Sequence, residues 1–343
     1  MHRLSVLIPS DEAVFVDGLA DAYRDLGHLV ATGRDRLFDN GARFDLVHLQ
    51  WPEEFSGWFP PKPDDTARVL DRLALLGRRA RVIGEMHDLV PNIDGANPAY
   101  RPLVTGFYAA CETVGHCSEH SRRSTLALYP ELSSLRHRVH PPFSYRNSFV
   151  PTRVPPPPAG RPLRVGFFGS IREVAEFRLL VAAFKRFRRD GAELHVMGRL
   201  ATSNRLGRAL LRRWARWGGG VTLHEGHFSD DALTDFIDDL DVVLIPRRPP
   251  HNNSGVFYLA MQRGKMVVAP RYGIYEEFLA GTDNPLYAPG DARSAAEALA
   301  TAAAHQPREV GRANRAQAAG WTFARILEAY GIHAAHRQSG TGG

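Results

Sequence analysis

The chain has 343 residues, 44% of them hydrophobic, which is enough material for two separate cores. Two cysteines, Cys111 and Cys117, exclude a disulfide framework; with no apolar run of spanning length and an amino-terminal run ended by Pro9 and Asp11, a cytoplasmic protein is expected. The net charge of +6, carried largely by arginine, suits phosphate-bearing ligands, anionic lipid or nucleic acid, and charge alone does not choose among them.

In chain order, Leu4 to Pro9 predicts a strand, Phe15 to Leu26 a helix, Leu46 to Leu49 a strand, Asp65 to Leu76 a helix and Arg81 to Met86 a strand. Strands alternating with helices predict a parallel, doubly wound sheet. The run PTRVPPPPAGRP at 151–162 breaks all periodicity, and consecutive prolines favour an extended, semi-rigid connector. It separates an expected first domain at 1–150 from a second at 163–320. In the second, Leu163 to Gly169 predicts a strand, Glu176 to Arg189 a helix, Glu193 to Met197 and Val221 to His224 strands, and Leu233 to Asp239 a helix. The segment 204–217, NRLGRALLRRWARW, has apolar residues on one side and arginines around it. It reads first as an ordinary surface helix whose arginines snorkel, and second as a peripheral contact for an anionic membrane. Helices are expected at Ala292 to Ala304 and at Phe323 to Tyr330, within a carboxyl-terminal stretch 321–335 that crosses back to the first domain, and a disordered tail at 336–343.

The segment DVVLIPRRPPHNNSGVFYLAMQRGKMVVAP, 241–270, carries the most information. Asp241 to Pro246 reads as a strand buried on both faces, Gly255 to Arg263 as a helix stopped by Gly264, and Met266 to Ala269 as the next buried strand. In open α/β sheets, ligands bind where a strand's carboxyl end runs into a helix, and the amides at a helix start favour an anion there. A phosphate on Asn253, Ser254 and Gly255 is therefore expected, although Asn-Ser-Gly also serves as an ordinary helix cap.

These strings, in this order, resemble the group 1 glycosyltransferase superfamily of nucleotide-sugar enzymes. RVGFFGSIR at 164–172 is similar to the strand and loop that open its donor domain, with Gly169 admitting the diphosphate and Ser170 and Arg172 beside it. FDLVHLQWPE resembles a first-domain pattern of aspartate, hydrophobic residues, histidine and tryptophan-proline-glutamate, and GEMHDLVPN the strand ending in His-Asn or His-Asp that faces the cleft. The resemblance implies an α/β, GT-B architecture: two Rossmann-like doubly wound domains facing a central cleft. It also implies transfer of a sugar from a nucleotide-sugar donor to a carbohydrate, lipid-linked or other small hydroxyl acceptor, in polysaccharide, glycoconjugate or natural-product biosynthesis. Many members carry a Glu-x7-Glu motif; here those places fall on His251 and Leu259, so the chain resembles a subset with Asn-Ser-Gly at this loop. Their absence leaves open a nucleotide-sugar epimerase or a non-transferring relative of the same fold. A non-catalytic basic protein is less well supported, and no nucleic-acid motif is present.

The donor site is then expected to use Gly169, Ser170, Arg172, Arg247, Arg248, Asn253, Ser254 and Gly255 on the diphosphate and Glu276 or Glu277 on ribose, guanidinium being well matched to phosphate. His48, Gln50, Trp51 and Glu53 are expected to contact the acceptor. His87 and Asp88 are the candidate catalytic groups: Asp88 a base if the reaction inverts, His87 a donor-positioning group if it retains. No cofactor and no metal are expected, because Asp230-Asp231 and Asp238-Asp239 lie on or before a helix and read as capping or solvated residues. A zinc site among His116, Cys117, Glu119 and His120 is not expected, since a second ligand pair is missing.

Overall fold

The computed structural model describes residues 2–39, 41–90, 97–143, 161–187, 191–200, 209, 212–213, 220–249 and 251–335. Residues 151–160 of the expected connector 151–162, most of the arginine-rich segment 204–217 and the tail 336–343 lie outside them. The chain divides into two units, Met1–Phe143 with Trp321–Gly343, and Ser144–Gly320.

The first unit runs β1 (Ser5–Ile8), α1 (Ala13–Asp25), β2 (Leu29–Thr32), β3 (Leu46–Leu49), α2 (Pro63–Gly77), β4 (Arg81–Glu85), α3 (Tyr100–Ala109), β5 (Thr113–His116), α4 (Glu119–Leu128) and β6 (Arg136–Val139). These strands form one parallel sheet in the order β2-β1-β3-β4-β5-β6. Local chemistry sets the helix ends. Pro63 opens α2, where its missing N–H costs nothing, Asp64 and Asp65 complement the helix dipole, and Val69, Leu73 and Leu76 turn one stripe to the core. Ser118 caps α4 by accepting from the Ser121 amide. The chain's last helix, Phe323–Ala329, belongs to this unit: Phe323, Ile326, Leu327 and Tyr330 share a core with Phe15, Val16, Leu19 and Tyr23 of α1. Each such aliphatic or aromatic burial contributes about 1.5–3 kcal/mol, which holds a helix far away in sequence to this sheet.

The second unit runs β7 (Arg164–Phe168), α5 (Val174–Phe187), β8 (Glu193–Gly198), β9 (Val221–Glu225), α6 (Asp230–Asp238), β10 (Val242–Leu244), α7 (Gly255–Gln262), β11 (Met266–Pro270), α8 (Gly273–Leu279), β12 (Leu286–Tyr287), α9 (Ala292–Ala304) and α10 (Pro307–Ala318). The last helix of the chain, named above, is α11. The sheet is again parallel, ordered β12-β11-β10-β7-β8-β9, with Val165, Phe167, Leu194, Val196, Val242, Leu244, Met266 and Val268 in one core. The strand predicted at Asp241 to Pro246 is shorter, because Asp241 instead anchors its start. Its carboxylate accepts from the Arg161 guanidinium at 2.9 Å and from the Arg164 amide at 2.9 Å.

In a doubly wound sheet the crevice forms where the strand order reverses. That point lies between β1 and β3 in the first unit, and between β7 and β10 in the second.

Candidate functional site

The loops leaving β7 and β10 meet at the reversal point of the second unit. Gly169 adopts φ +100, a conformation closed to most side chains, and a Cβ there would come within 3.1 Å of Val256 at the start of α7. Gly198, at the end of β8, lies so close beneath that a Cβ would fall 2.0 Å from the Gly169 carbonyl. The two glycines thus keep the β7 loop flat against the sheet edge.

One carboxylate joins the two loops. Glu176, in the first turn of α5, accepts from Arg247 Nη1 at 2.6 Å through Oε1 and from the Arg172 amide at 2.9 Å through Oε2. Arg247 also donates from Nη2 to the Ser170 carbonyl at 2.9 Å, and its guanidinium lies over the Phe167 ring. Both partners are buried. Two features of this pair bear on the expected donor site. The charge of Arg247 is already balanced by Glu176, so its role is to fix the loops. The N-terminus of α5 is occupied by the chain's own carboxylate, in the manner of a capping box.

The N-terminus of α7 is built differently. Ser254 is its cap, its Oγ accepting from the Phe257 amide at 3.3 Å, while Asn253 Oδ1 accepts from the Ser254 amide at 3.1 Å. Gly255 follows as the first helical residue, where an α-helix leaves amides without intrahelical partners. Arg172 and Arg248 are exposed, the latter with Nε close to Gly290. His251, in the place of the family's first motif carboxylate, stacks on Tyr275 with ring centroids 6.3 Å apart. Burial, then the charges of Arg247 and Arg172, push its pKa down to about 3, so it is neutral at physiological pH. Leu259, in the second motif place, is buried in α7. Glu276 and Glu277 are exposed on α8.

In the first unit the strand ends near the reversal point carry polar side chains that are mostly buried. Glu85, at the end of β4, accepts from His48 Nε2 at 2.9 Å, from the Tyr330 hydroxyl at 2.7 Å and from His140 Nε2 at 2.8 Å. Burial opposes its charge, yet His140 and His48 hold its carboxyl well below the usual range; the same pairing raises His140 against its own burial. His48 has its other ring nitrogen 3.0 Å from the Tyr23 hydroxyl and is fully buried. The acceptor contact expected of His48 is therefore corrected: it is a member of a buried hub that ties α1 and α11 to the sheet.

Gln50 is corrected in the same way. It is buried, and its Oε1 accepts from His87 Nε2 at 2.8 Å, so it orients the imidazole. His87 is stacked on Trp51, centroids 4.0 Å apart, with Phe15 edge-on at 4.8 Å. Burial pushes its pKa down to about 3, leaving a neutral ring. Glu53 is also buried; burial first, then the adjacent charges of Asp88 and Glu54, raise its carboxyl to about 8. Trp51 and Asp88 are the members of this set with appreciable surface. His116 is bonded to His137 at 2.9 Å and to Ser121 at 3.2 Å.

Glu176, Glu85, His140 and Tyr330 escaped the sequence reading. Glu176 alone carried a local signal, as the third residue of a helix.

Residues 162–305, somewhat less than half of the chain, match the family described as "Glycosyl transferases group 1". No curated protein sequence matches the chain. Among solved structures, HepE of Anabaena, in complex with UDP and glucose, is 16% identical with a TM-score of 0.69, over 96% of this chain and 98% of that one. Sucrose-phosphate synthase of Thermosynechococcus elongatus is 15% identical with a TM-score of 0.66, over 96% and 98%. The catalytic domain of starch synthase IV of Arabidopsis thaliana, bound to ADP and acarbose, is 12% identical with a TM-score of 0.66, over 96% and 98%. The two parallel six-stranded sheets are those of the GT-B fold.

Proposed function

We propose that this GT-B glycosyltransferase, with its group 1 domain at 162–305, takes a nucleoside-diphosphate sugar on its second unit and transfers the sugar to a hydroxyl of a neutral acceptor carried by the first. In the transfer, the bond from the anomeric carbon to the diphosphate oxygen breaks, the bond to the acceptor oxygen forms, and the acceptor hydroxyl loses its proton. The observation that carries the reading is the convergence at the β7/β10 reversal of the Gly169 loop, the Ser254-capped start of α7 and the exposed Arg172 and Arg248.

On this reading the leaving diphosphate is met by the first amides of α7 and by Arg172 and Arg248. Their charge develops no further cost during reaction, because the loops are already fixed by Glu176 and Arg247. Glu276 or Glu277 binds ribose hydroxyls. Asp88 takes the acceptor proton if the anomeric configuration inverts; if it is retained, neutral His87 positions the donor and the acceptor proton passes to the departing diphosphate oxygen. No step calls on a metal ion. Loss of both motif carboxylates, at His251 and Leu259, supports a second reading, an epimerase of the same fold.

A thermal-shift screen of the full chain against UDP, GDP, ADP and dTDP and their sugar conjugates tests the donor site, since a ligand bound only by the native state raises its melting temperature. Release of nucleoside diphosphate together with a new glycosidic product establishes transfer. Interconversion of the sugar nucleotides without such release would favour the epimerase.

A further inference from the structure

Among the described residues, Trp58 is the only one other than glycine with a positive φ, +69. It follows Gly57, itself at φ +66, where the 3-10 turn Pro52–Ser56 closes: the Trp58 amide donates to the Glu53 carbonyl at 2.9 Å and the Gly57 amide to the Glu54 carbonyl at 3.1 Å. One glycine is sufficient to end such a turn, and a bulky residue in the left-handed region is strained. The strained turn is nevertheless braced. Ser56 Oγ lies 2.6 Å from the Phe59 carbonyl, and the Tyr100 hydroxyl donates to the Trp58 carbonyl at 3.4 Å. The result is that Phe59 stands 63% exposed, the most exposed large hydrophobic side chain among the described residues. The Trp58 ring leans on Trp51 at 6.2 Å, and Trp51 stacks on His87 at 4.0 Å.

We propose that Trp51, Trp58 and Phe59 form an aromatic platform on the first unit that takes the apolar face of a pyranose ring of the acceptor. This deepens the transferase reading and rests on it for the word acceptor. A pyranose presents C–H groups on its faces and hydroxyls around its rim, which calls for aromatic faces beside hydrogen-bonding groups; Trp51 and Trp58, tilted 54° to each other, offer two such faces rather than one plane. Here the platform runs into His87, and Asp88, three residues beyond Glu85 of the buried hub, is partly exposed. Charge argues against an anionic membrane as the occupant. Asp64 and Asp65 open the next helix and Asp88 lies beside the turn, against one cation, Lys62, in the stretch 59–65. An aromatic surface with acidic neighbours suits a neutral polyol better than a phosphate headgroup.

The test uses the full chain, its Phe59→Ala variant and its Trp58→Gly variant. Glycine accepts the left-handed backbone without strain, so Trp58→Gly removes the ring while keeping the turn, and Phe59→Ala removes a side chain that packs on little. The labelled proteins are applied to a glycan array, and the best glycan is titrated by calorimetry, with phosphatidylglycerol vesicles and UDP measured alongside. The expected result is glycan binding that weakens by roughly tenfold or more in each variant, with melting temperatures not lowered for Phe59→Ala. Wild-type protein that binds UDP but no glycan, variants that bind glycan as the wild type does, or ring-dependent binding to the vesicles instead would overturn the platform. Ring-dependent glycan binding by a chain that binds no nucleoside diphosphate would leave the platform standing and overturn the transferase reading.

Discussion

Replacing Glu176 by glutamine keeps the shape of the side chain and removes its charge. Arg247, 6% exposed, then holds a guanidinium with no counter-charge on its Nη1, and the Arg172 amide loses a charged acceptor. Breaking a buried ion pair by removing one partner costs about 3–5 kcal/mol, because the remaining charge stays desolvated. Loss of the cap at α5 adds about 0.5–2 kcal/mol. Arg247→Met should be as damaging for the mirror reason, leaving Glu176 charged and buried. The double variant should be less damaged than the two losses added together, since apolar or neutral replacements of both partners leave no orphaned charge; the coupling should be on the order of 1–3 kcal/mol. Urea unfolding followed by circular dichroism, with unchanged slope, supplies the three values. Single variants within about 0.5 kcal/mol of the wild type, a change typical of an ordinary surface site, or strictly additive losses, would refute the pair as the bolt between the β7 and β10 loops.

Three further outcomes are expected. Arg172→Ala and Gly255→Leu should each weaken nucleoside-diphosphate binding in calorimetry by about tenfold while leaving the melting temperature of the unliganded chain near that of the wild type; unchanged affinity in both would remove the phosphate assignment. Turnover should survive excess EDTA, because the diphosphate charge is assigned to arginines and a helix start, and activity lost to chelation and restored by magnesium or manganese would contradict that assignment. Glu53, with its carboxyl raised from 4.5 to about 8, holds a proton in the folded chain that the unfolded chain releases, so stability should fall as pH rises from about 4.5 to about 8 and level off above. Glu53→Gln should remove this slope, on the order of 4–5 kcal/mol at most, and a wild-type profile already flat between pH 5 and 8 would show that the carboxyl is not held neutral.

Much of the architecture was legible because buried parallel strands are short apolar runs between helical stripes. Ala292–Ala304 emerged with the ends expected, and strands such as Leu46–Leu49 needed no correction. What escaped had little apolar signal. Strand β2, LVAT, is an edge strand with no fully buried residue, and α10 reads PREVGRANRAQA. That helix packs through Val310, Gly311, Asn314 and Ala318, with Gly311 pressed on the Gly264 backbone and Asn314 bonded to Asn284, so close approach and amide pairing replace a hydrophobic stripe. At the sites, residue types were visible and their depth was not. His48 lies within β3 and Gln50 just past its end, but His48 sits two residues further into the sheet, beneath α1 and α11, where a sequence gives no sign of cover. The Glu176–Arg247 pair spans 71 residues, and no local pattern announces it.

The two reversal points differ in electrostatic character, and the proposed transfer fits that difference. At the second unit's point the described side chains include Arg172, Arg247 and Arg248 against one buried carboxylate, Glu176, with the neighbouring His251 forced neutral partly by those arginines. The balance there is positive, and the start of α7 adds its own partial charge. At the first unit's point His87 is neutral, Glu53 holds its proton up to about pH 8, and Glu85 is matched by His140, so a set rich in titratable groups presents little net charge beyond Asp88. A dianionic diphosphate gains at the first of these environments and would meet desolvated, uncompensated groups at the other. A neutral polyol has the opposite preference: it gives up nothing electrostatically beside a neutral imidazole and an indole, and its hydroxyl proton finds one ionisable acceptor in Asp88. On the proposed reading, donor and acceptor are sorted by where the chain keeps charge unbalanced and where it has cancelled it.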